Sequence, residues 1–205
     1  IAALNDWGVF EGVLLSLTFA GGTSDTIDGS GVLVAPGIAL CASHVVEPRL
    51  QEIMSSEIGI ICTGIASHGV EIWRTKKITL VPDMDIAILG LERASVLPPS
   101  RTINLATIST RLPRVGEQLT IVGFRAASPA FTASNTNERM FSGQVLASSG
   151  RITAEYPNGR DRTKLPWPVL EVDCPSWGGM SGGPVFDSNG LLVGLLCSSF
   201  ETADE

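Results

Sequence analysis

Short apolar runs of strand length, separated by turn residues, recur along almost the whole chain and limit it to folds built of β-strands. The best candidate for a helix is one short segment, "VEPRLQEIM", directly after His44. The predicted strands cover residues 13–20, 31–35, 38–42, 58–65, 70–80 and 86–91, and then 118–124, 140–147, 152–156, 169–172, 184–186 and 191–197.

The two groups of predicted strands are separated by a stretch that contains "LPPSR" and "TRLPR", which is typical of a linker. Many short strands with a central break predict an all-β protein of two antiparallel β-barrels of the six-stranded type. We expect an N-terminal barrel over residues 1–95, a linker over 96–114 and a C-terminal barrel over 115–205.

Two polar stretches in the second half contain too few apolar residues to be core. They are "RAASPAFTASNTNER" and "YPNGRDRTKLP". We expect the segments 126–138 and 157–166 within them to be mobile surface loops.

The charge of the chain excludes one large class of partner. The 205 residues carry a net charge of -7, whereas a nucleic-acid binder needs clustered lysine and arginine. No apolar run approaches the roughly 20 residues of a membrane-spanning helix. The opening "IAALNDWGVF" has neither an initiator methionine nor the basic start of a signal peptide, so we expect a chain processed or excised from a longer, multidomain protein.

The spacing of the four cysteines, Cys41, Cys62, Cys174 and Cys197, fits no zinc site. Cys41 and Cys197 lie in apolar runs, where a free thiol acts as a small buried hydrophobe. We expect all four to be reduced and mostly buried, although the even number leaves a disulfide framework open. Reduced cysteines and an acidic composition favour an intracellular location; an extracytoplasmic one stays open.

The segment "WGGMSGGPVFDSNG" places Ser181 between two pairs of glycines. Such a segment is either a tight turn before a strand or a loop that holds a nucleophile and directs bare N–H groups at developing negative charge. A phosphate-binding loop is excluded, because no Gly-Lys-Ser/Thr sequence follows and no βαβ pattern surrounds it.

A serine nucleophile needs a base, and a histidine base needs an orienting carboxylate. The chain has two histidines. We interpret His68, in a predicted turn, as a solvated loop residue, whereas His44 lies at the end of a predicted apolar strand. Of the two aspartates in "VPDMDIAILGL", Asp85 adjoins a strand, and Asp83 is the better candidate for a solvated turn residue. His44, Asp85 and Ser181 together therefore predict a nucleophilic hydrolase.

These three residues, in this order, carry a resemblance to a known family. "CASHVV", "DIAIL" and "GGMSGGPVFD" resemble the histidine, aspartate and serine motifs of trypsin-like serine peptidases, and are nearer to the bacterial HtrA and glutamyl-endopeptidase types than to digestive trypsins. The resemblance implies a cleft between the two barrels in which Ser181 attacks a peptide carbonyl, His44 moves the proton and Asp85 orients His44. It also implies an oxyanion hole formed by the N–H groups of Gly179 and Ser181, and a protein or peptide substrate with no metal or cofactor. The alternative is a catalytically inactive relative that binds peptides in the same cleft.

The chain departs from digestive relatives at two places. Met180 replaces the aspartate that pairs with a newly cut amino terminus, and we interpret it as a packing residue. Only "ETADE" follows "LLCSSF", so we expect the second barrel to lack its last strand, unless residues 152–156 complete the sheet in another way.

The resemblance also implies which residues select the substrate. One wall of the P1 pocket consists of Pro175, Ser176, Trp177 and Gly178, and the other consists of Leu196, Cys197, Ser198 and Ser199, of which the last three pair with the substrate backbone. Pro175 stands where trypsins carry the aspartate that selects Arg or Lys. Leu196 stands where glutamyl endopeptidases carry a histidine, and Ser199 narrows the mouth. We expect a small or medium uncharged P1 residue.

Overall fold

The structure, a computed structural model, describes residues 2–3, 10–21, 26–67, 69–96, 98–99, 102–126, 131–133 and 139–198. The longest helix within these ranges has five residues, too few to cross a bilayer. The strands are β1 (Ala2–Ala3), β2 (Leu14–Ala20), β3 (Thr26–Ala35), β4 (Ile38–Cys41), β5 (Gly59–Ala66), β6 (Gly69–Leu80), β7 (Ala87–Arg93), β8 (Gln118–Arg125), β9 (Phe131–Ala133), β10 (Arg139–Phe141), β11 (Gln144–Tyr156), β12 (Val169–Val172), β13 (Pro184–Asp187) and β14 (Leu192–Leu195).

The first six strands after β1 form a closed antiparallel barrel in the order β2–β3–β4–β7–β6–β5. Successive side chains of a strand point to opposite faces, and on β2 both faces are apolar. Leu15 and Leu17 point into the barrel, where they pack with Leu89 and Trp73. Leu14 points outward and belongs to a second apolar cluster.

The outward-facing cluster joins the barrel to a second sheet. Leu14 and Val32 of the barrel pack there with Phe124, Val145 and Phe186 of the sheet. All five side chains are almost fully buried. Burying apolar area between the sheets is therefore what fixes one sheet beside the other.

The second sheet has six strands, in the order β1–β11–β8–β13–β14, with β12 pairing with the far end of β11. The sheet is curled and, among the described residues, is not closed into a barrel. The prediction of an all-β, trypsin-like architecture is confirmed. The structure differs from the predicted strands 140–147 and 152–156, because residues 144–156 form the single strand β11.

The strand β1 departs from the predicted division of the chain. It pairs with β11, so Ala2–Ala3 belongs to the second sheet and not to the first barrel. Between β7 and β8 the described residues form no strand. Hydrogen bonds attach this connection to both halves: the Ala106 N–H donates to the Leu33 carbonyl at 2.9 Å, and the Ser109 N–H donates to the Leu192 carbonyl at 2.8 Å.

The two predicted loops both contain ordered structure. Part of 126–138 lies outside the described residues, but β9 within it pairs with β10 as a hairpin. In 157–166, the Asp161 carboxylate accepts hydrogen bonds from the N–H groups of Thr163, Lys164 and Leu165. The mobility of both segments stays a prediction.

All four cysteines are free thiols: Cys41 and Cys62 are buried, and Cys174 and Cys197 are half-buried. Burial raises the pKa of the Cys62 thiol to about 12, because a thiolate would lose its hydration there. Burial also raises the pKa of Cys41, and the neighbouring Cys62 and the Asp85 carboxylate raise it further.

We predict that a maleimide or disulfide reagent modifies neither Cys41 nor Cys62 in the native protein at pH 8, because the attacking thiolate is suppressed and inaccessible. Four thiols should react after unfolding without reductant. Mass spectrometry of the labelled peptides checks both parts. Fewer than four reactive thiols in the unfolded protein would contradict the prediction that all the cysteines are reduced.

Candidate active site

His44 lies where the first barrel changes from strand to helix. The strand β4 ends at Cys41, Ala42 is extended, and helix α1 (Ser43–Val46) follows at once. A 3₁₀ turn (Glu47–Arg49) and helix α2 (Leu50–Met54) complete the segment that the sequence gives as the best candidate for a helix. The His44 side chain is 43% exposed, so its ring is accessible to a substrate.

Asp85 lies in the turn between β6 and β7. The Val81 N–H donates to the Ile86 carbonyl at 2.8 Å and closes this turn. Asp83 has a φ of 58° and an exposed side chain, which confirms its assignment as a turn residue. Asp85 itself is only 4% exposed, and a buried carboxylate requires hydrogen-bond partners.

The partners of Asp85 come from the beginning of α1. The His44 ring nitrogen Nδ1 lies 2.7 Å from Asp85 Oδ2, and the His44 backbone N–H donates to Oδ1 at 2.9 Å. The Ser43 hydroxyl donates to the same oxygen at 2.8 Å. Burial raises the pKa of Asp85, but the hydrogen bonds from His44 and Ser43 outweigh burial and hold this pKa below its usual value. Asp85 is therefore a carboxylate that fixes the orientation of the His44 ring.

Ser181 lies in the tight loop between β12 and β13. The Met180 N–H donates to the Trp177 carbonyl at 3.0 Å, and the Gly183 N–H donates to the Met180 carbonyl at 2.8 Å. The Gly182 N–H donates to the Leu196 carbonyl, and the Leu196 N–H donates back to the Gly183 carbonyl. The loop is therefore tied to the residues that follow β14.

Two of the glycines around Ser181 are required by the backbone. Gly179 has a φ of +90° and Gly182 a φ of +80°, conformations that L-residues rarely adopt. A Cβ on Gly179 would lie 2.3 Å from the Ala126 nitrogen, and one on Gly182 would lie 2.7 Å from the Ala42 nitrogen. A side chain at either position would collide with backbone.

Neighbouring strands also lie close to the two glycines after Ser181. The space beside Gly182 is filled by backbone of the first barrel, and a Cβ on Gly183 would lie 2.3 Å from the carbonyl oxygen of Val122 on β8.

The N–H groups on either side of Met180 are those of Gly179 and Ser181. Among the described residues, neither the Gly179 N–H nor the Ser181 N–H makes a hydrogen bond within the protein. Met180 itself has no exposed surface and packs in the core of the second sheet, which confirms its interpretation as a packing residue. The loop thus combines a buried anchor with two unpaired donors.

The segment of His44 and the loop of Ser181 (residues 177–183, the serine loop) meet at β3. The Ser30 N–H donates to the Ser181 carbonyl at 2.8 Å, and a Cβ on Gly29 would lie 2.5 Å from Val45 Cγ1 and 3.3 Å from the Ser181 carbonyl oxygen. Val45 follows His44 directly, so the two segments approach across Gly29. In the described part of the chain, no hydrogen bond links the Ser181 hydroxyl to His44.

The two predicted walls of the P1 pocket follow strands of the second sheet, the first after β12 and the other directly after β14. Cys174, which precedes the first wall, and Leu196, which begins the other, pack on the same apolar cluster. Trp177 is 38% exposed. Burial raises the pKa of Cys197, and the nearby Asp85 carboxylate raises it further, so the second wall passes close to Asp85. Ser199 lies outside the described residues, as does His68.

Two serines in this arrangement were not predicted from the sequence. Ser43 donates to Asp85, and its position directly before the histidine is a signal that points to such a contact. Ser30 lies between Gly29 and Gly31 within β3, and glycine in a strand interior often marks a close approach of another backbone. That pattern could have located the contact with the serine loop.

The comparison with known protein families identifies the chain. Residues 29–195 match the family described as "Trypsin-like peptidase domain", and the chain belongs to this family. The match includes the segments of His44, Asp85 and Ser181.

The chain is also similar to individual proteins, at low sequence identity. The chain is similar to the peroxisomal leader peptide-processing protease of Mus musculus, with 26% identity over 180 residues. That match covers 85% of this chain but only 26% of the relative. The fold resembles that of Deg5 (TM-score 0.64, 18% identity, 94% of this chain and 82% of that chain). It also resembles the MamO protease domain from Magnetospirillum magneticum (TM-score 0.58, 17% identity, 96% of this chain and 89% of that chain).

We predict that Ser43→Ala lowers the free energy of unfolding at pH 7 by about 1.5–3 kcal/mol, the usual contribution of a hydrogen bond to a charged group. The pKa of Asp85 is lower in the folded than in the unfolded state, so its ionisation stabilises the fold above the unfolded pKa of about 3.9. This stabilisation is lost as the pH falls through the folded pKa. The difference between wild type and variant should therefore shrink in acid.

Urea unfolding of both proteins between pH 7 and pH 3 measures this difference. Ser16→Ala is the matched control, because the Ser16 hydroxyl is equally buried in the first barrel but donates to the neutral carbonyl of Thr63. Its effect should not depend on pH. A Ser43→Ala effect that stays constant while the wild type loses stability in acid would show that the hydroxyl does not stabilise the Asp85 carboxylate.

Proposed function

We propose that the protein is a serine endopeptidase that hydrolyses peptide bonds through an acyl-enzyme, with His44, Asp85 and Ser181 as its catalytic residues. The observation that carries the proposal is the contact of His44 Nδ1 with the buried Asp85 carboxylate at 2.7 Å. This contact places the proton of the neutral ring on Nδ1 and leaves Nε2 free to act as a base. Membership of the trypsin-like peptidase family supports the same function.

The proposed reaction has two stages. The Ser181 hydroxyl attacks the substrate carbonyl while His44 Nε2 takes its proton, and His44 then gives that proton to the leaving amine. Water next attacks the acyl-enzyme with His44 again as base, which releases the acid product and restores Ser181. Throughout, Asp85 stays ionised and stabilises the imidazolium form of His44.

The Gly179 and Ser181 N–H groups are the proposed oxyanion hole. Both are unpaired among the described residues, and donors that are already in place need no reorganisation when the negative charge develops on the carbonyl oxygen. The positive φ of Gly179 is part of this arrangement, because another residue there would force the loop into a different conformation.

The proposed P1 pocket lies between Pro175–Gly178 and Leu196–Ser199. Neither segment contains a charged side chain, so a lysine, arginine or glutamate in the pocket would lack a charged partner. We therefore propose a preference for small or medium uncharged P1 residues such as Ala, Val, Thr or Leu. Each methylene group contributes only about 1–3 kcal/mol to discrimination in such a pocket.

We predict that Ser181→Ala lowers the turnover of a peptide substrate by at least about four orders of magnitude and leaves the fold intact, because the three residues act as a unit. Turnover and circular dichroism measure the two effects. Ser188→Ala, an exposed serine in the turn after β13, is the control and should keep wild-type turnover. Retained activity in Ser181→Ala would show that another residue is the nucleophile.

A serine-directed phosphonate separates the enzyme from an inactive peptide-binding relative. The wild-type protein should gain the mass of one phosphonyl group at Ser181, and the Ser181→Ala variant should gain none. An unmodified wild-type protein that still binds peptides would instead identify a binding protein of the same fold.

We predict that cleavage sites in a peptide library cluster after small and medium uncharged residues, with a gradual preference among them. Mass spectrometry of the cleaved library gives the distribution of P1 residues. A dominant Arg, Lys or Glu at P1 would show that the pocket is formed by residues other than Pro175–Gly178 and Leu196–Ser199.

A further inference from the structure

Ser30 is a buried hydroxyl at the junction of the two sheets. It lies in the middle of β3 and has no exposed surface. The missing side chain of Gly29 lets the Ser181 carbonyl and Val45 come close to the strand, and a Cβ on Gly31 would lie 2.9 Å from the Leu40 carbonyl oxygen. Gly29 and Gly31 therefore flank Ser30 where a side chain on either glycine would collide with a neighbouring segment. Without those side chains, Ser30 can contact the serine loop.

Three hydrogen bonds of Ser30 cross to the second half of the chain. Its hydroxyl donates to the Gly179 carbonyl at 2.7 Å and accepts from the Phe124 N–H of β8 at 2.8 Å. Its backbone N–H donates to the Ser181 carbonyl at 2.8 Å. A hydroxyl is needed for the first two, because one atom must both donate and accept.

The carbonyls that Ser30 holds alternate with the donors of the proposed oxyanion hole. Along the backbone, the Gly179 and Ser181 carbonyls face Ser30, whereas the Gly179 and Ser181 N–H groups have no acceptor in the described part of the protein. A loop with glycines at 178, 179, 182 and 183 has many other accessible conformations. A turned Gly179 carbonyl would leave the Ser30 hydroxyl without an acceptor in a fully buried site, which is unfavourable.

We propose that Ser30 is a positioning residue for catalysis, which holds the backbone of residues 179–181 so that the Gly179 and Ser181 N–H groups converge on the developing oxyanion. The inference rests on the proposed peptidase function. Ser30 does not touch the substrate; it acts through the Gly179 and Ser181 carbonyls. Its loss should therefore weaken binding of the transition state and not binding of the substrate.

The test compares Ser30→Ala with Ser16→Ala, which removes the equally buried hydroxyl opposite Ser30 on β2; this hydroxyl donates to the Thr63 carbonyl and, among the described residues, makes no hydrogen bond to the serine loop. We expect Ser30→Ala to lower kcat and the rate of phosphonate labelling by about 10- to 100-fold, as a small misplacement of reacting groups does, with KM unchanged within about twofold. Affinity for a peptide trifluoromethyl ketone, whose oxyanion occupies the hole, should fall by the same factor. Ser16→Ala should change none of these quantities.

The outcomes separate the two proposals. A folded wild-type protein that does not react with the phosphonate overturns the peptidase function, and the role of Ser30 with it. A reactive wild type together with a Ser30→Ala variant that reacts as fast as Ser16→Ala overturns the role of Ser30 alone. If Ser30→Ala does not fold, Ser30→Cys replaces it in the test, because a thiol has a similar shape but is only a weak hydrogen-bond donor. Wild-type rates in the folded Ser30→Cys variant would also overturn the proposal.

Discussion

The buried carboxylate of Asp85 is the constraint on which the rest of the site depends. A charge with 4% exposure is tolerated only if hydrogen bonds replace its hydration, and here three of them come from two consecutive residues, Ser43 and His44. The first turn of α1 must therefore lie against the turn between β6 and β7. This contact fixes the position of the His44 backbone as well as the orientation of its ring, so the hydrogen bonds that replace the hydration of Asp85 also set the geometry of His44.

The contact between the two halves is backbone against backbone, and that is why glycines are concentrated there. A Cβ on Gly182 in the serine loop would lie 2.3 Å from the Ser30 carbonyl oxygen, and one on Gly29 of β3 would lie 3.3 Å from the Ser181 carbonyl oxygen. Apolar burial by Leu14, Val32 and Phe124 drives the association, but it is not directional. The three hydrogen bonds of Ser30 supply the direction, because they fix one register of β3 against the serine loop.

Much of the fold follows from the sequence because β-strand patterns are local. The limits of β12 agree with the predicted 169–172, and β2 and β6 begin or end within one residue of their predictions. The prediction shortened β3, since Asp28, Gly29 and Ser30 are neither apolar nor β-branched; in the structure, Gly29 and Ser30 pair with β2. The same limit applies to the site: short motifs point to His44, Asp85 and Ser181, whereas the role of Ser30 depends on residues about 150 positions away, a separation no local pattern contains.

Met180 also helps to hold the serine loop in its conformation. An aspartate at this position would require a cation in the same interior, whereas the methionine is buried with no exposed surface against the backbone of Gly123. The hydrogen bonds that the described residues make to Gly178–Gly183 come from backbone N–H groups and from the Ser30 hydroxyl, all of them neutral. Packing and neutral hydrogen bonds do not titrate between pH 4 and pH 10, because none of these groups has a pKa in that range. The conformation of the loop is therefore independent of pH there.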